Sequence, residues 1–233
     1  VFDEEFNSLD VSAWGPGTRW IAHTPWNGDF GDAAFADPAN GFPFTINNGV
    51  LSIEARQDAT GKWQSGLLAS VDANGNGFAQ QYGYWEMRAK LPTGPGVWPG
   101  FWLDSLVPAG SPDPSYEVDG MEYYGQFTGA YVASTHLWPK DGSTATTTQQ
   151  ILNVTADSLT SGYHTYGISV EADWTIVYLD GVEMWRVATP PQHTHKLMVL
   201  VDLALGGGWP ITNTPTPSDM NIDYIRAYRR TGT

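Results

Sequence analysis

The 233-residue sequence contains no cysteine. Disulfides, thiolate metal centres and cysteine nucleophiles are therefore excluded together. Positive charge is scarce: 11 Lys and Arg face 25 Asp and Glu, for a formal net charge of −14. That balance is unsuited to nucleic acid or to an anionic membrane surface, and it favours an uncharged partner. No apolar run approaches the ~20 residues that a bilayer-spanning helix needs. The opening residues, Val1-Phe2-Asp3-Glu4-Glu5-Phe6, lack a basic run followed by an apolar stretch, so no signal peptide is read. The expectation is a secreted protein whose signal has been removed. Helical periodicity is nearly absent as well, with one short turn expected at Asp157–Ser161.

What the chain does have is aromatic and turn-forming residues: 11 Trp, 11 Tyr, 26 Gly and 16 Pro. Between the turns lie alternating segments. In Val50–Arg56, Leu51, Ile53 and Ala55 oppose Ser52, Glu54 and Arg56; in Tyr84–Leu91, Trp85, Met87, Ala89 and Leu91 oppose Tyr84, Glu86, Arg88 and Lys90. Further strands are predicted at 100–103, 116–124, 131–137, 163–170, 174–179, 182–187, 197–205 and 222–228. Asp180-Gly181 between two such runs predicts a two-residue hairpin. Many short strands punctuated by Gly and Pro indicate an all-β, two-sheet sandwich. No composition shift marks a boundary, so residues 1–233 are read as one domain. Residues 13–43 and 105–115 are predicted to be irregular, and loops of that length are usually functional.

The segment Ser115-Tyr116-Glu117-Val118-Asp119-Gly120-Met121-Glu122 carries the chemistry. Strand residues two apart share a face, so Glu117 and Asp119 point the same way. Glu122 is five positions from Glu117, and a regular strand would turn it away. One bulged residue restores the parity, and Gly120 is the natural position for it. Three acids on one face of a strand that is otherwise apolar are costly, and such groups gather where shifted pKa values are useful. Paired carboxyls about 5–5.5 Å apart suit a retaining glycosidase. A sugar cleft also needs aromatic platforms. Trp98, Trp102, Trp138 and Trp209 are candidates, with His136 on the strand that leads to Trp138.

These segments resemble glycoside hydrolase family 16, the laminarinase, lichenase and agarase group. Glu117 to Glu122 is similar to the longer, bulged form of the family's Glu-x-Asp-x-(x)-Glu motif. Phe2-Asp3-Glu4-Glu5-Phe6-Asn7, Tyr82 to Arg88, Leu91-Pro92, Trp98 to Leu103, Tyr163 to Tyr166, Tyr178 to Gly181 and Ile222 to Tyr228 follow in family order. The resemblance implies a concanavalin-like β-jelly roll of two antiparallel sheets with an open concave cleft. It implies a retaining endo-hydrolase of β-linked polysaccharide in which Glu117 is the nucleophile, Asp119 the assisting acid and Glu122 the acid/base. No catalytic cofactor is implied. A structural Ca²⁺ is implied, with ligands mapping to Glu5, Gly49 and Asp223, and oxygen donors suit that ion. Trp20 and Trp26 fall where family members build glycone subsites and are read as sugar platforms, with buried loop anchors as the equal alternative. The run Ser65-Gly66-Leu67-Leu68 lacks the Arg of laminarinase-like members. That run, with Tyr123-Tyr124-Gly125, is nearer the bacterial branch acting on exopolysaccharides and mixed β-glucans. Gly120 stands where the family usually has a branched aliphatic, which is expected to loosen the bulge.

The expected function is hydrolysis of β-1,3 or mixed β-1,3-1,4 glucan by a monomer, with no nucleic-acid or membrane partner. Other readings are a galactan or exopolysaccharide hydrolase, a transglycosylase, and a lectin-like binding module, the last having no use for a complete acid triad. Asp72 to Gly77 matches the start of a calcium loop but has Gly83 at the twelfth position and is read as a turn. His193 and His195 lack a third ligand and are read as loop histidines.

Overall fold

The computed structural model describes residues 1–230. In chain order the strands are β1 (Phe2–Glu4), β2 (Val11–Ser12), β3 (Trp20–Ile21), β4 (Ala34–Phe35), β5 (Phe44–Asn47), β6 (Val50–Gln57), β7 (Trp63–Ser65), β8 (Leu67–Ala69), β9 (Ala79–Gln80), β10 (Gly83–Lys90), β11 (Val97–Ser105), β12 (Ser115–Glu122), β13 (Ala130–Trp138), β14 (Thr146–Asn153), β15 (His164–Val170), β16 (Trp174–Leu179), β17 (Val182–Ala188), β18 (Leu197–Leu205) and β19 (Ser218–Tyr228). A short helix, α1 (Ser158–Ser161), precedes β15.

The strands make two sheets, neither of them closed. The first runs β17-β16-β15-β10-β19-β6-β7-β4, with β1 beside β19 and β5 beside β6. The second runs β14-β13-β12-β11-β18-β8-β3-β2, with β9 beside β18. This is the all-β jelly-roll sandwich expected from the sequence, with one refinement. The pairings are antiparallel except β2 with β3 and β4 with β7, two short parallel pairs among the described residues.

Alternation decides which side chains fill the sandwich. Leu51, Ile53 and Ala55 of β6 and Trp85, Met87 and Ala89 of β10 point inward and are fully buried, as their pattern requires. The Asp180-Gly181 turn joins β16 to β17 with both residues at positive φ, 51° and 75°. That is the two-residue geometry whose twist matches the flanking strands.

In β18 every residue is buried. Leu197, Val199, Val201, Leu203 and Leu205 enter the main core, while Met198, Leu200 and Ala204 join a smaller cluster with Ile21, Phe35, Leu67 and Trp102. The segment 13–43 is therefore no free loop. Through β3 it joins the second sheet and through β4 the first, and its Ile21 and Phe35 bury apolar surface beside β18.

The bulge in β12 falls where the sequence indicated. Against β11 the register steps from Phe101↔Met121 to Trp102↔Asp119, and against β13 from Asp119↔Ser134 to Glu122↔Val132. Gly120 is the residue passed over. Its lack of a side chain does not loosen the bulge, contrary to expectation. A Cβ there would lie 2.3 Å from Ile168 Cγ1 of β15, so the Ile168 side chain already occupies the space. Gly120→Val should therefore cost about 1–3 kcal/mol by overpacking. Ile168→Ala in the same chain should recover part of that loss, measured by urea unfolding of the two single variants and the double variant.

Candidate active site

Register brings the functional groups together on the outer face of the second sheet. Glu117 lies opposite Asp104 on β11 and His136 on β13; Asp119 lies opposite Trp102 and Ser134; Glu122 lies opposite Gly100 and Val132. On the far side of β11, Asp202 of β18 is opposite Gly100. Residues directly opposite share a face, so this one surface carries five carboxyl groups. A Cβ on Gly100 would sit 3.1 Å from Asp202 Oδ1, so the glycine keeps the floor of the site low.

Neutral donors hold the acids. Trp138 Nε1 donates to Glu117 Oε2 at 2.8 Å. Trp98 Nε1 and the Tyr124 hydroxyl each donate to Glu122 Oε1 at 3.2 Å, and Ser134 Oγ lies 3.2 Å from Glu122 Oε2. Ser134 Oγ also bonds Asp119 Oδ2 at 2.6 Å, bridging the two acids. His136 Nε2 is 3.1 Å from Asp119 Oδ2, and its Nδ1 meets Thr147 Oγ1 at 2.8 Å. One ligating atom each from Glu117, Asp119 and His136 fall within 4.8 Å of one another. His136, a cleft candidate in the sequence, thus has Asp119 as its carboxyl partner.

Burial dominates the electrostatics. It pushes Glu117 up to about 9, aided by the charges of Asp119 and Asp104 and opposed by His136 and the Trp138 N–H. Burial also raises Asp119 well above the carboxylate range, with the Glu122 charge adding to it. Two buried carboxyls this close cannot both ionise near neutrality, so the Glu117–Asp119 pair retains a proton. Asp202 is pushed up to about 7 by burial, although Trp102 Nε1 at 2.8 Å and the Ala204 N–H at 3.0 Å stabilise its charge.

The tryptophans divide into three groups. Trp26, Trp138 and Trp209 are 49%, 43% and 43% exposed and present open indole surface. Trp98 is half-buried and stacked on Tyr124. Trp102 is 7% exposed; it forms the floor of the site with Phe30 and Trp26 against it and has little surface left for a sugar. Trp20 requires correction. It is fully buried, with its Nε1 bonded to Glu4 Oε2 and its ring edge-on to Phe2, so it anchors β3 to β1 and does not reach the cleft.

A cavity of about 190 Å³ lies among Trp26, Phe30, Trp98, Trp102 and the acids Glu117, Asp119, Glu122 and Asp202. A groove of about 690 Å³ extends it past Glu117 along Asp104, Ser115, Trp138 and Lys140. Another of about 430 Å³ extends it past Glu122 along Tyr124, Phe127, Ile151 and Trp209. The whole is a trough with carboxyls at its middle.

Sequence reasoning missed Asp104, Asp202, Ser134, Tyr124 and Phe30. A signal existed for Asp202, a lone acid inside the apolar run Leu197 to Leu205. None existed for Ser134, whose role depends wholly on cross-strand register.

The ligands expected for Ca²⁺ lie away from this face. A Cβ on Gly49 would sit 3.8 Å from the Glu5 carbonyl oxygen, so those two groups are neighbours. Asp223 gives one carboxylate oxygen to Arg88 Nη1 at 2.6 Å and keeps the other. Carbonyl and carboxylate oxygens fit a hard cation, with Arg88 in competition for the acid.

Residues 39–226 match the family described as glycosyl hydrolases family 16, and the chain belongs to that family. It is 34% identical over 251 residues to endo-1,3-1,4-beta-glycanase ExsH of Rhizobium meliloti and 30% identical over 250 to EglC of the same organism, an enzyme of the same description. Each alignment covers 98% of this chain and 51% of the relative, so the chain spans about half the length of these relatives. In fold it is similar to the catalytic domain of the Thermotoga petrophila laminarinase, with a TM-score of 0.77, 24% identity and coverage of 100% and 98% of the two chains.

The raised value of Asp202 has a consequence for stability. Its folded value of about 7 lies above its ordinary 3.8, so the folded chain binds the extra proton between those limits. Its contribution is present in full below pH 4 and is lost as pH rises towards 7, by up to about 4 kcal/mol. Asp202→Asn cannot titrate. The difference in unfolding free energy between variant and parent should move in the variant's favour from pH 4 to pH 7; a difference that stays constant in urea titrations across that range contradicts the assignment.

Proposed function

We propose that this chain is the catalytic domain of a secreted, retaining endo-β-glycanase that hydrolyses β-1,3 or mixed β-1,3-1,4 glucan. The observation that carries the reading is the bulged β12, which presents Glu117, Asp119 and Glu122 on one face of an open, indole-walled trough. An extended groove open at both ends of the acid cluster suits internal attack on a polymer. Indole faces suit pyranose rings, and the chain's shortage of cations suits an uncharged sugar. The names of the relatives support the same substrate class.

In the proposed mechanism Glu117 attacks the anomeric carbon while Glu122 gives its proton to the departing glycosidic oxygen. The resulting glycosyl ester on Glu117 is then opened by a water that passes its proton to Glu122. The Trp138 N–H at 2.8 Å fixes the attacking carboxylate, and Trp98 and Tyr124 fix Glu122. Attack requires the proton of the Glu117–Asp119 pair to sit on the more buried Asp119, which leaves Glu117 ionised. A binding module gains nothing from this arrangement and bears its desolvation cost. One observation favours transglycosylation as a second activity. The trough beyond Glu122 is walled by Phe127, Ile151 and Trp209, apolar surface that can hold an acceptor sugar. No helix among the described residues is long and apolar enough to cross a membrane.

Glu117→Ala should lower turnover of mixed-linkage glucan at least about a thousandfold. Added azide should restore turnover and yield a glycosyl azide of inverted configuration; full activity in the variant contradicts the mechanism. Asp119→Asn keeps a neutral side chain beside Glu117 that cannot ionise, so the second ionisation of the pair should disappear from the kcat/KM profile. A product-sized screen against laminarin, lichenan, agarose, κ-carrageenan and a bacterial exopolysaccharide tests the substrate class. A structural Ca²⁺ at Glu5, Gly49 and Asp223 is part of the proposal and carries no catalytic step. Calcium should raise the Tm and EGTA lower it, and a Tm indifferent to both removes the ion.

A further inference from the structure

Asp104 has no part in the mechanism above, yet it sits in register with Glu117 on the same face. It is 8% exposed. Its Oδ1 accepts the Ser115 hydroxyl at 2.5 Å and the Ser105 N–H at 2.7 Å. Its other oxygen has no partner among the described residues, and the residue lines the groove that runs past Glu117 between the exposed indoles of Trp26 and Trp138. Burial pushes this carboxyl up to about 6, opposed by its two hydrogen bonds and by Lys140. Such a group costs stability, and its neighbour Glu117 bears part of the cost through repulsion. A neutral acceptor would serve Ser105 and Ser115 equally well, so the fold supplies no reason for an acid here.

The opposite end of the trough sharpens the contrast. Beyond Glu122 the wall is Tyr124, Phe127, Ile151 and Trp209, with no further carboxyl among the described lining residues. The Glu117 side alone combines indole faces with a buried, half-satisfied acid.

We propose that Asp104 is a substrate-binding residue that selects for free hydroxyls on a sugar unit held on the Glu117 side of the cleft. A pyranose stacked on Trp26 or Trp138 turns its ring-edge hydroxyls towards the groove floor. There the free oxygen of Asp104 accepts a hydroxyl proton as carboxylate, or donates one as acid. A sugar substituted or inverted at that hydroxyl covers this groove-facing oxygen without pairing it and is rejected, which discriminates far more strongly than lost apolar contact. The inference rests on the reading of this cleft as an endo-β-glycanase site.

The test uses the chain silenced by Glu117→Gln and a mixed-linkage gluco-hexasaccharide. By isothermal titration, adding Asp104→Ala should weaken binding about tenfold or more, the loss of a hydrogen bond to a charged group. In the active chain, Asp104→Ala should raise KM for the hexasaccharide more than it lowers kcat. A crystal of the Glu117→Gln chain with the hexasaccharide should show a sugar hydroxyl within about 3.2 Å of Asp104. That measurement stands even if Asp104→Ala fails to fold. Equal affinity with and without Asp104, or a bound sugar that leaves Asp104 untouched, overturns the inference while hydrolysis by the parent chain stands. Failure of the parent chain to cleave any β-glucan overturns the underlying reading instead.

Discussion

Strand parity sends alternate residues of β12 to opposite faces, and Glu117 and Glu122 are separated by an odd number of positions. In a regular strand Glu122 would enter a core that holds Val118, Met121, Trp85 and Ile168, where an unpaired acid costs several kcal/mol. The residue passed over at Gly120 reverses its direction, and the trough depends on that reversal. The reversal in turn depends on the other sheet, because Ile168 of β15 reaches into the space that a Gly120 side chain would need. The geometry of the site is thus set by sheet-to-sheet packing as much as by the strand that carries the acids.

Five carboxyls on one face of one sheet present an electrostatic problem, and the chain has few cations with which to meet it. Its remedy is mainly neutral. Indole N–H groups of Trp98, Trp102 and Trp138 and hydroxyls of Ser134, Tyr124 and Ser115 each donate to an acid. A neutral donor stabilises a carboxylate without clamping it in an ion pair, so the acid remains free to trade protons. The same indoles present apolar surface to a sugar. The tryptophan content and the scarcity of Lys and Arg are therefore two sides of one solution, in which residues that recognise substrate also hold the catalytic groups in position.

How much of this was legible in the sequence follows from what each feature depends on. The strands at Trp174–Leu179 and Leu197–Leu205 were readable to the residue, and the bulge was readable from parity and one glycine, because these are local matters. The strand Thr146–Asn153 was not. It lies at the sheet edge with Leu152 as its buried residue, so it has no apolar face to announce it. Trp20 looked like a platform because composition cannot distinguish an indole that meets sugar from one that ties β3 to β1. Asp104 ends an apolar run and Asp202 interrupts one, yet their significance appears only when register brings them beside Glu117 and Gly100. Residues recruited by register stay hidden until the strand order is known.

The segment 13–43 shows how an irregular stretch can still be held firmly enough to line a site. His23 is buried, and its two ring nitrogens each lie 2.9 Å from a carboxylate, Asp29 on one side and Asp37 on the other. The Trp14 ring stacks on the imidazole at 4.2 Å. The two contacts clasp the loop at both of its flanks, with the imidazole between them. The closure from His23 to Asp29 encloses Trp26, and beyond Asp29 comes Phe30, which packs on Trp98 and Trp102 at the floor of the trough. This clasp fixes the aromatic wall that the catalytic acids face. The catalytic acids are held mainly by neutral donors, and the tightest polar clasp is placed in the loop, where rigidity does no harm to chemistry.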